Sequence, residues 1–424
     1  MALLQRLTGL LGIVALLGIA FALSRNRRRI PVGTVLWGLG LQVVFAVLIL
    51  KTPWGRVVFD WANAAFTRLI GFTDDGAKFV FGDWGAPVEA THLVTKKPHA
   101  IGFVLAFKVL PVLIFFASLM SVLYHLGVMQ KLVSAAAWVM RYTMKVSGAE
   151  ALSAAGNIFV GMTEAPLLIR PYVGKLTQSE LMAVMTGGLA TIAGSVLALY
   201  VSFGIEPGHL LCASVMSAPA ALVVAKIMLP ETEEPATAGS IQVEFERKTT
   251  NVIDAAASGA WEGLRLALNV AAMLLAFVAL LALVNFLIGQ VHTGVAWATG
   301  WQGFPSSLQD ILGLLFRPLA FVMGVPWGEA KGVGTLLGVK ISLNELIAYQ
   351  QLVAMKGQLS ARSVTIATYA LCGFANFGSI GIMIGGISGM APERRADLSR
   401  LSLRALAGGA IASFLTACIA GILL

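Results

Sequence analysis

Two segments of this chain combine a glutamate with helix-breaking residues inside otherwise apolar sequence. The first, residues 156–166, carries Glu164 among glycine, threonine and proline, and the second, residues 343–349, carries Glu345 directly after an asparagine. Burying a carboxylate in a membrane is costly, so an ionisable residue at that depth predicts a functional site. Broken backbone survives there only where protein or a water-filled cavity covers it. One such segment in each half of the chain indicates a transporter binding site.

The helix breaks also predict a site for a cation. A break frees backbone carbonyl groups that must find partners. At residues 157–161 and 191–194 these carbonyls could join the oxygens of Asn157 and Thr191. Such a cage of oxygen ligands suits a hard cation such as Na⁺, which the carbonyl ends of half-helices also favour. The alternative is that Asn157 and Thr191 only cap broken helices, and their spacing does not separate the two interpretations.

The two glutamates have a possible role in binding a polar ligand. A carboxylate accepts strong hydrogen bonds from hydroxyl or amide groups in a site of low dielectric constant. The alternative is an ion pair with a buried lysine, for which Lys340 and Lys331 are the candidates near Glu345.

A further polar segment, residues 372–379, contains Asn376 and Ser379, which share one face of a regular helix. The aromatic side chains of Phe374 and Phe377 lie beside them and could pack against a ligand ring or simply against the core.

The composition predicts an all-α polytopic membrane protein. The chain is 58% hydrophobic with a mean hydropathy of +0.83, and apolar runs long enough to span a bilayer recur along it. A β-barrel would alternate apolar and polar residues instead. The net charge of +9 comes from Lys and Arg in short loops, which is typical of orientation signals, and no nucleic-acid partner is expected. The three cysteines and five histidines show no metal-ligand spacing, so a metalloenzyme is not expected.

The first half of the chain is predicted to contain five spans and one hairpin, in addition to surface helices. The basic cluster at residues 25–29 predicts that the N-terminus lies outside, with a cleaved signal peptide as the alternative. We expect spans at residues 3–23, 32–50 and 101–123, an interfacial helix at 54–69 within an outer segment at 51–97, an amphipathic helix along the inner surface at 128–146, a re-entrant hairpin open to the cytoplasm at 149–172, a span at 180–203 interrupted at 191–195, and a span at 210–229.

The second half follows a polar cytoplasmic linker at residues 231–250. We expect a span at 264–288, an outer stretch at 289–305, a hairpin entering from outside at 308–352 with its turn at 324–338, a span at 364–387 interrupted at 373–379, an inner charged loop at 393–395, and a last span at 401–424. Hairpin, interrupted span and plain span recur with opposite orientation, which predicts an inverted repeat with about eight transmembrane helices and two opposed re-entrant hairpins. The predicted divisions are 1–148 (mainly scaffold), 149–230 (first transport repeat), 231–306 (linker and scaffold span) and 307–424 (second transport repeat).

Four ordered motifs resemble those of the concentrative nucleoside transporters. They are GMTEAPL at residues 161–167, ATIAGSV at 190–196, NELIAY at 344–349 and CGFANFGS at 372–379, and the resemblance covers nearly the whole chain. It implies a homotrimer in the bacterial inner membrane, in contact with lipid, with a scaffold domain and a mobile transport domain. It also implies uptake of nucleosides driven by a cation gradient, with Na⁺ as coupling ion and no other cofactor.

The same resemblance implies roles for individual residues. Gly161, Met162, Thr163 and Glu164 would face the nucleobase with Val196 beside it; Glu345, Asn376 and Ser379 would hold the ribose, with Phe374 near the ligand; and Asn157, Thr191 and the carbonyl groups of Val160 and Ile192 would bind sodium. The chain departs from the family pattern at Met162, where many relatives carry Gln. A thioether is at best a weak hydrogen-bond acceptor, so the sequence does not predict which nucleobase is preferred. Thr191 replaces a common Ser and keeps the hydroxyl group.

Three other functions are weighed against sodium symport. A proton-coupled nucleoside carrier is the alternative within the same class, and the Asn157 and Thr191 side chains favour sodium. A channel would need a continuous lined pore, whereas paired hairpins predict an isolated pocket. An intramembrane enzyme would need a nucleophile with its base or a metal constellation, and the sequence offers neither.

Overall fold

The computed structural model describes residues 2–82, 89–91, 98–100, 105–238, 249–301 and 303–424. The predicted start of the third span, residues 83–88 and 92–97 of the outer segment, and the middle of the cytoplasmic linker lie outside these residues. The helices are α1 (Ala2–Ala22), α2 (Val32–Lys51), α3 (Pro53–Phe81), α4 (Leu105–Lys108), α5 (Leu110–His125), α6 (Val128–Met144), α7 (Gly148–Gly156), α8 (Gln178–Ala190), α9 (Gly194–Ser202), α10 (Pro207–Met228), α11 (Val252–Thr299), α12 (Leu308–Val322), α13 (Trp327–Ser342), α14 (Glu345–Met355), α15 (Ala361–Leu371), α16 (Phe377–Ser388) and α17 (Arg395–Leu423).

The remaining described elements are short or tightly wound. Four 3₁₀ segments lie at Arg27–Arg29, Ala165–Lys175, Lys356–Gln358 and Pro392–Arg394, and the strands β1 (Glu89–Thr91) and β2 (Pro98–Ala100) pair antiparallel. Six helices of the described chain are long and apolar enough to cross a membrane, or seven if the bent pair α12 and α13 counts as one span. With α1 and the broken pair α15–α16, this architecture confirms the predicted all-α polytopic fold.

Two sets of elements follow each other in the same order. The first is α6, α7, the Ala165–Lys175 3₁₀ helix, the broken pair α8–α9, and α10; the second is α12, α13, α14, the broken pair α15–α16, and α17. Arg394, at the start of α17, donates hydrogen bonds to the carbonyl oxygens of Gly174 and Leu176, and Ser179 donates to that of Leu229 just after α10 ends. The last helix of one set therefore begins where that of the other ends, as an inverted repeat requires.

The second hairpin differs from its prediction. The helix α12 is a separate amphipathic element, bent from α13 by 118°, and the hairpin is formed by α13 and α14 with its turn at residues 343–344. The bend comes at Gly324, whose φ of +100° is left-handed, and at Pro326. The predicted turn at 324–338 is mostly helix, because its glycines serve packing. A side chain on Gly334 would meet the backbone of Gly313 at 2.9 Å, so these glycines let α12 and α13 approach closely.

Two further boundaries extend beyond the predicted ones. The interfacial helix predicted at 54–69 continues to Phe81 as α3, and the span predicted at 264–288 is part of the 48-residue α11, which also takes in most of the predicted outer stretch. At 1.5 Å per residue α11 is about 70 Å long and exceeds any bilayer. It starts at the Asn251 cap, whose side chain accepts from Asp254 N, and ends at Gly300 with φ +70°.

Helix packing divides into two groups. The helices α1 and α2 pack on α17 and α10, and small residues make this possible; Gly12, for example, lies against the Val322 carbonyl and the Cys418 sulfur. The helix α5 packs along α11, where Gly259 and Gly263 face its backbone. The pair α5–α11 contacts the other described helices mainly where α5 packs against α9.

A buried polar cluster closes the inner end of the first repeat. Ser147 and Thr177 cap α7 and α8, each in a reciprocal box with the glutamate three residues later. Lys226 of α10 lies 2.5 Å from Glu150 of α7, and its ammonium group also donates to Ser179. The linker contributes to this cluster, because the hydroxyl group of Thr237 donates a hydrogen bond to Glu180 at 2.9 Å. These bonds fix the first hairpin to α8 and α10.

Candidate functional site

The breaks in the two interrupted spans meet in the core. The backbone N–H of Phe374 donates to the carbonyl oxygen of Thr191 at 3.2 Å, which joins the α15–α16 break to the α8–α9 break. Gly373 has a φ of +145°, and a side chain there would meet the carbonyl oxygen of Ala190 at 2.8 Å. Glycine is therefore required both for its backbone conformation and for the close approach of the two breaks.

Glu345 is the centre of a buried hydrogen-bond network. Its two carboxylate oxygens each accept one bond at 2.9 Å, from the hydroxyl of Tyr200 and from the amide of Asn376. The Asn376 side chain accepts in turn from Ser379 N at 2.8 Å and so caps α16. The residue before Glu345, Asn344, caps α14 through a bond from Ile347 N. The carboxylate thus sits at the N-terminus of α14, where the helix dipole favours negative charge.

Neither candidate lysine pairs with Glu345. The ammonium group of Lys340 donates to the carbonyl oxygen of Ala370 at 2.8 Å, and that of Lys331 lies 2.7 Å from Asp310. The ion-pair interpretation of Glu345 therefore does not describe the geometry. The carboxylate is held by two uncharged donors, Tyr200 and Asn376, and keeps lone pairs for a ligand.

The first hairpin brings residues 161–164 against two other helices. Met162 is buried, and its Cβ lies where a side chain on Gly188 of α8 would be, while Thr163 packs in the same way against Gly386 of α16. The carboxylate of Glu164 lies against Gly161, and this side chain is exposed, in contrast to Glu345. Glu164 directly precedes the Ala165–Lys175 3₁₀ helix. Each hairpin thus carries one glutamate where its returning half begins.

Two of the predicted sodium ligands, Asn157 at the end of α7 and Thr191 after α8, both lie beside Gly187. Asn157 is 1% exposed, and neither its amide oxygen nor its nitrogen has a hydrogen-bond partner among the described atoms. The Asn157 nitrogen lies beside Gly187, whose carbonyl oxygen accepts from the Thr191 hydroxyl at 2.9 Å. Phe159, in the turn between Asn157 and Val160, accepts from Gly194 N at 3.0 Å, which fixes this turn against the α8–α9 break.

The oxygen atoms around Asn157 suit a sodium ion as ligands. A buried amide without partners costs free energy, and an ion bound by its oxygen would remove part of that cost. The Thr191 hydroxyl group lies nearby, and the family resemblance adds the carbonyl groups of Val160 and Ile192; oxygen ligands of this kind suit hard cations. The described residues contain no group of three or more His, Cys, Asp or Glu that could hold a metal ion, so a transition-metal centre is not supported.

Tyr200 is the site residue that the sequence reasoning missed. It is fully buried, donates to Glu345, and stacks on Tyr349 with ring centroids 4.3 Å apart. The available signal was its spacing, because Tyr200 follows Val196 by four residues on α9 and so lies on the same helix face. An aromatic residue in an apolar helix is usually interpreted as packing, and the partner of its hydroxyl group is 145 residues away.

Comparison with known proteins now decides the family. Family profiles described as Na⁺ dependent nucleoside transporter N-terminus and C-terminus match residues 11–84 and 209–421, and one described as Gate, nucleoside recognition, matches residues 106–206. The chain belongs to the sodium-dependent nucleoside transporter family. The family members that this chain resembles are transporters and not enzymes.

Relatives in this family come from bacteria and mammals. An uncharacterized transporter of Haemophilus influenzae is 44% identical over 98% of this chain and 97% of its own length. Solute carrier family 28 member 3 of mouse is 43% identical over 99% of this chain, which spans only 59% of the mouse protein. Sodium/nucleoside cotransporter 1 of mouse is 42% identical over 99% of this chain and 64% of its own length.

Solved structures of the family share the fold described above. CNTnw in an inward-facing substrate-bound state superposes with a TM-score of 0.90 at 44% identity, covering 98% of both chains. A double variant of CNTnw in an outward-facing state gives a TM-score of 0.89, also at 44% identity, covering 99% of this chain and 97% of the other. Structures of this fold therefore exist in opposite states of access.

Proposed function

We propose that the chain imports nucleosides across the bacterial inner membrane by symport with sodium. The observation that carries the proposal is the buried amide of Asn157, which has no partner among the described atoms beside the α8–α9 break. A site with an amide oxygen, a hydroxyl group and half-helix carbonyl groups is what a coupling sodium ion needs. Membership of a family of sodium-dependent nucleoside transporters supports this ion and this substrate. Proton coupling has no comparable support.

The ribose of the nucleoside binds at the second hairpin in this proposal. Glu345 and Asn376 present a carboxylate and an amide on one side of the pocket, and Ser379 lies one turn into α16. A ribose offers two adjacent hydroxyl groups, and charge-assisted bonds from these to a carboxylate are strong in a buried site. The nearby ring of Phe374, which is partly buried, contacts the ligand from the α15–α16 break.

The nucleobase binds at the first hairpin, against residues 161–164 and Val196. Glu164 is the polar group available for base contacts, because Met162 offers only a thioether and is turned into the packing against Gly188. Base selection then depends on Thr163 and Glu164. Asn157 and Glu164 belong to the same hairpin, so sodium binding and base binding order the same segment. This shared segment couples sodium binding to nucleoside binding.

Alternating access moves the two repeats, α6–α10 and α12–α17, as one unit against the pair α5–α11. We call this unit the hairpin body. The packing described above supports including α1 and α2 in the moving body, rather than in the scaffold that residues 1–148 were predicted to form. The exposed apolar surface of α11, with Leu275 and Phe286 more than half exposed, is then available for lipid and for the two other copies of a homotrimer.

Sodium-dependent binding tests this proposal directly. Calorimetry on the detergent-purified protein with uridine should give binding in sodium chloride and little or none in choline chloride. The Asn157→Leu variant should bind equally weakly in both salts. Uridine binding that is the same in sodium and choline would rule out the proposed coupling.

A further inference from the structure

Lys340 is a buried charge that the proposed mechanism does not use. It lies on α13, two residues before that helix ends, and it is 0% exposed. Its ammonium group donates to the carbonyl oxygen of Ala370 at 2.8 Å and lies 5.6 Å from the ring centre of Phe414. A lysine buried at membrane depth is expensive and needs a functional or electrostatic reason. Its ion partner is not Glu345, as shown above.

The position of the ammonium group corresponds to the sodium site of the other repeat. Ala370 is next to the last residue of α15, so Lys340 binds the carbonyl end of a half-helix. In the first repeat the matching half-helix is α8, and its carbonyl end, followed by Thr191, is where the sodium ligands gather. Carbonyl ends of helices carry partial negative charge and attract cations. Each repeat therefore offers one such end to one cation.

The residues that match Lys340 in the first repeat complete the comparison. Counted from the helix ends, Ala154 of α7 corresponds to Lys340 of α13, and Asn157 corresponds to Leu343. The first repeat thus has a small side chain and an unpartnered oxygen ligand, which leave room for an ion. The second repeat has a long cationic side chain and an apolar residue, which leave none.

The charges of the two hairpins follow the same pattern. Each hairpin carries one glutamate where its returning half begins, Glu164 in the first and Glu345 in the second. The second hairpin has Lys340 to balance its carboxylate, whereas none of the ion pairs between described residues includes Glu164. Sodium at the proposed site would balance the carboxylate of Glu164 in the first hairpin, as Lys340 balances that of Glu345 in the second.

We propose that Lys340 is a tethered cation that occupies in the second repeat the place that sodium occupies in the first. It positions the α15 end and keeps Glu345 available to the ribose without a second ion. This inference rests on the proposed sodium-coupled function. It predicts that only the first repeat responds to sodium and that one sodium ion moves with each nucleoside.

Two substitutions at Lys340 separate this role from simple packing. Lys340→Met keeps the volume and removes the charge, and it should weaken uridine binding about tenfold or more, because Glu345 loses its compensating charge. Lys340→Ala also opens space beside the Ala370 carbonyl oxygen. In this variant high sodium should restore binding, and the Hill coefficient for sodium should rise from about one toward two. Lys331→Met, on the exposed part of the same helix, is the matched control and should behave like the parent.

The results that would overturn the proposal are distinct. Parental uridine affinity and sodium dependence in Lys340→Met would show that the charge has no such role. Equal losses in both variants, without rescue by sodium, would show that Lys340 only packs. A reversal-potential measurement on the parent in proteoliposomes needs no variant, and two sodium ions per uridine would contradict the single mobile cation. If the parent shows no sodium-dependent uridine uptake at all, the proposed function fails and this inference fails with it, whereas the variant results above overturn the inference alone.

Discussion

At the scale of single residues, the proposed function assigns recognition of the sugar to Glu345. Its carboxylate accepts bonds from Tyr200 and Asn376 and has lone pairs left for two hydroxyl groups. Glu345→Gln should weaken uridine binding by on the order of 1.5–3 kcal/mol, roughly tenfold to hundredfold. It should also reduce the preference for uridine over 2′,3′-dideoxyuridine. Calorimetry with both ligands measures this, and Glu329→Gln on the exposed start of α13 is the control. Parental discrimination in Glu345→Gln would refute the ribose assignment.

Tyr200 provides a second test at this scale. Tyr200→Phe removes one donor to Glu345 while keeping the ring that stacks on Tyr349. The carboxylate then loses part of its orientation, and uridine binding should weaken by about 0.5–1.5 kcal/mol. Tyr349→Phe is the matched control, because its hydroxyl donates to the Thr368 carbonyl oxygen and not to Glu345. The assignment of Tyr200 as a positioning residue would be wrong if the two variants bound uridine equally well.

Asn157 is the residue to which the proposed function assigns sodium dependence. Asn157→Leu should abolish the stimulation of uridine uptake by sodium, because the leucine provides no oxygen ligand. Its melting temperature without sodium should not fall, since the buried amide has no partner to lose among the described atoms. Uptake that still follows the sodium gradient in this variant would place the ion elsewhere.

Sequence reasoning identified some of these residues and missed others. Glu164, Glu345 and Asn157 could be singled out because a charge or an amide among helix breakers is costly in an apolar chain unless it binds something. The bond from Tyr200 to Glu345 could not be foreseen, because it joins distant parts of the chain. The ion pair considered between Lys340 and Glu345 was wrong for a related reason. The two residues are five positions apart, but α13 ends between them; Lys340 donates instead to the carbonyl oxygen of Ala370, and Glu345 accepts from Tyr200 and Asn376.

At the scale of elements, the inner polar cluster holds the first hairpin in place. The short helix α7 has Glu150 near one end and is followed directly by Asn157 at the other, so the ion site depends on where its inner end is fixed. Lys226→Met leaves Glu150 buried without a cation and should lower the free energy of unfolding by about 3–5 kcal/mol. The double variant Glu150→Gln/Lys226→Met should recover most of that loss. Thermal unfolding in detergent tests this, and an additive double variant would mean that the two side chains are not coupled.

Element boundaries were predicted well where apolar length or a cap decides them, and poorly where glycine was the signal. The helices α2 and α6 begin where the pattern placed them. The turn of the second hairpin was misplaced at 324–338, a glycine-containing segment in which Gly334 and Gly338 make room for α12. Only the partner helix, which is invisible in a local pattern, distinguishes a packing glycine from a turn glycine.

At the scale of the whole molecule, the proposed mechanism requires the hairpin body to move along α5 and α11. The Met273 side chain of α11 lies close to Gly378 of α16, with its terminal carbon 3.5 Å from the position of an added Cβ atom. A Met273→Cys/Gly378→Cys crosslink should therefore block uptake until it is reduced. The control pair Gly9→Cys/Ile422→Cys joins α1 to α17, which move together in the proposed mechanism, and should leave uptake unchanged. Full activity of the first crosslinked protein would contradict a moving body.

Sodium-driven accumulation of a nucleoside is the activity from which all of these expectations follow. It is measured as uptake of labelled uridine into proteoliposomes that contain the purified chain, with an inward gradient of sodium, of choline, or of protons. Uridine should accumulate above its external concentration only with the sodium gradient, and collapsing that gradient with an ionophore should give equilibration at most. Accumulation driven by the proton gradient alone, or uptake independent of all three gradients, would contradict sodium symport.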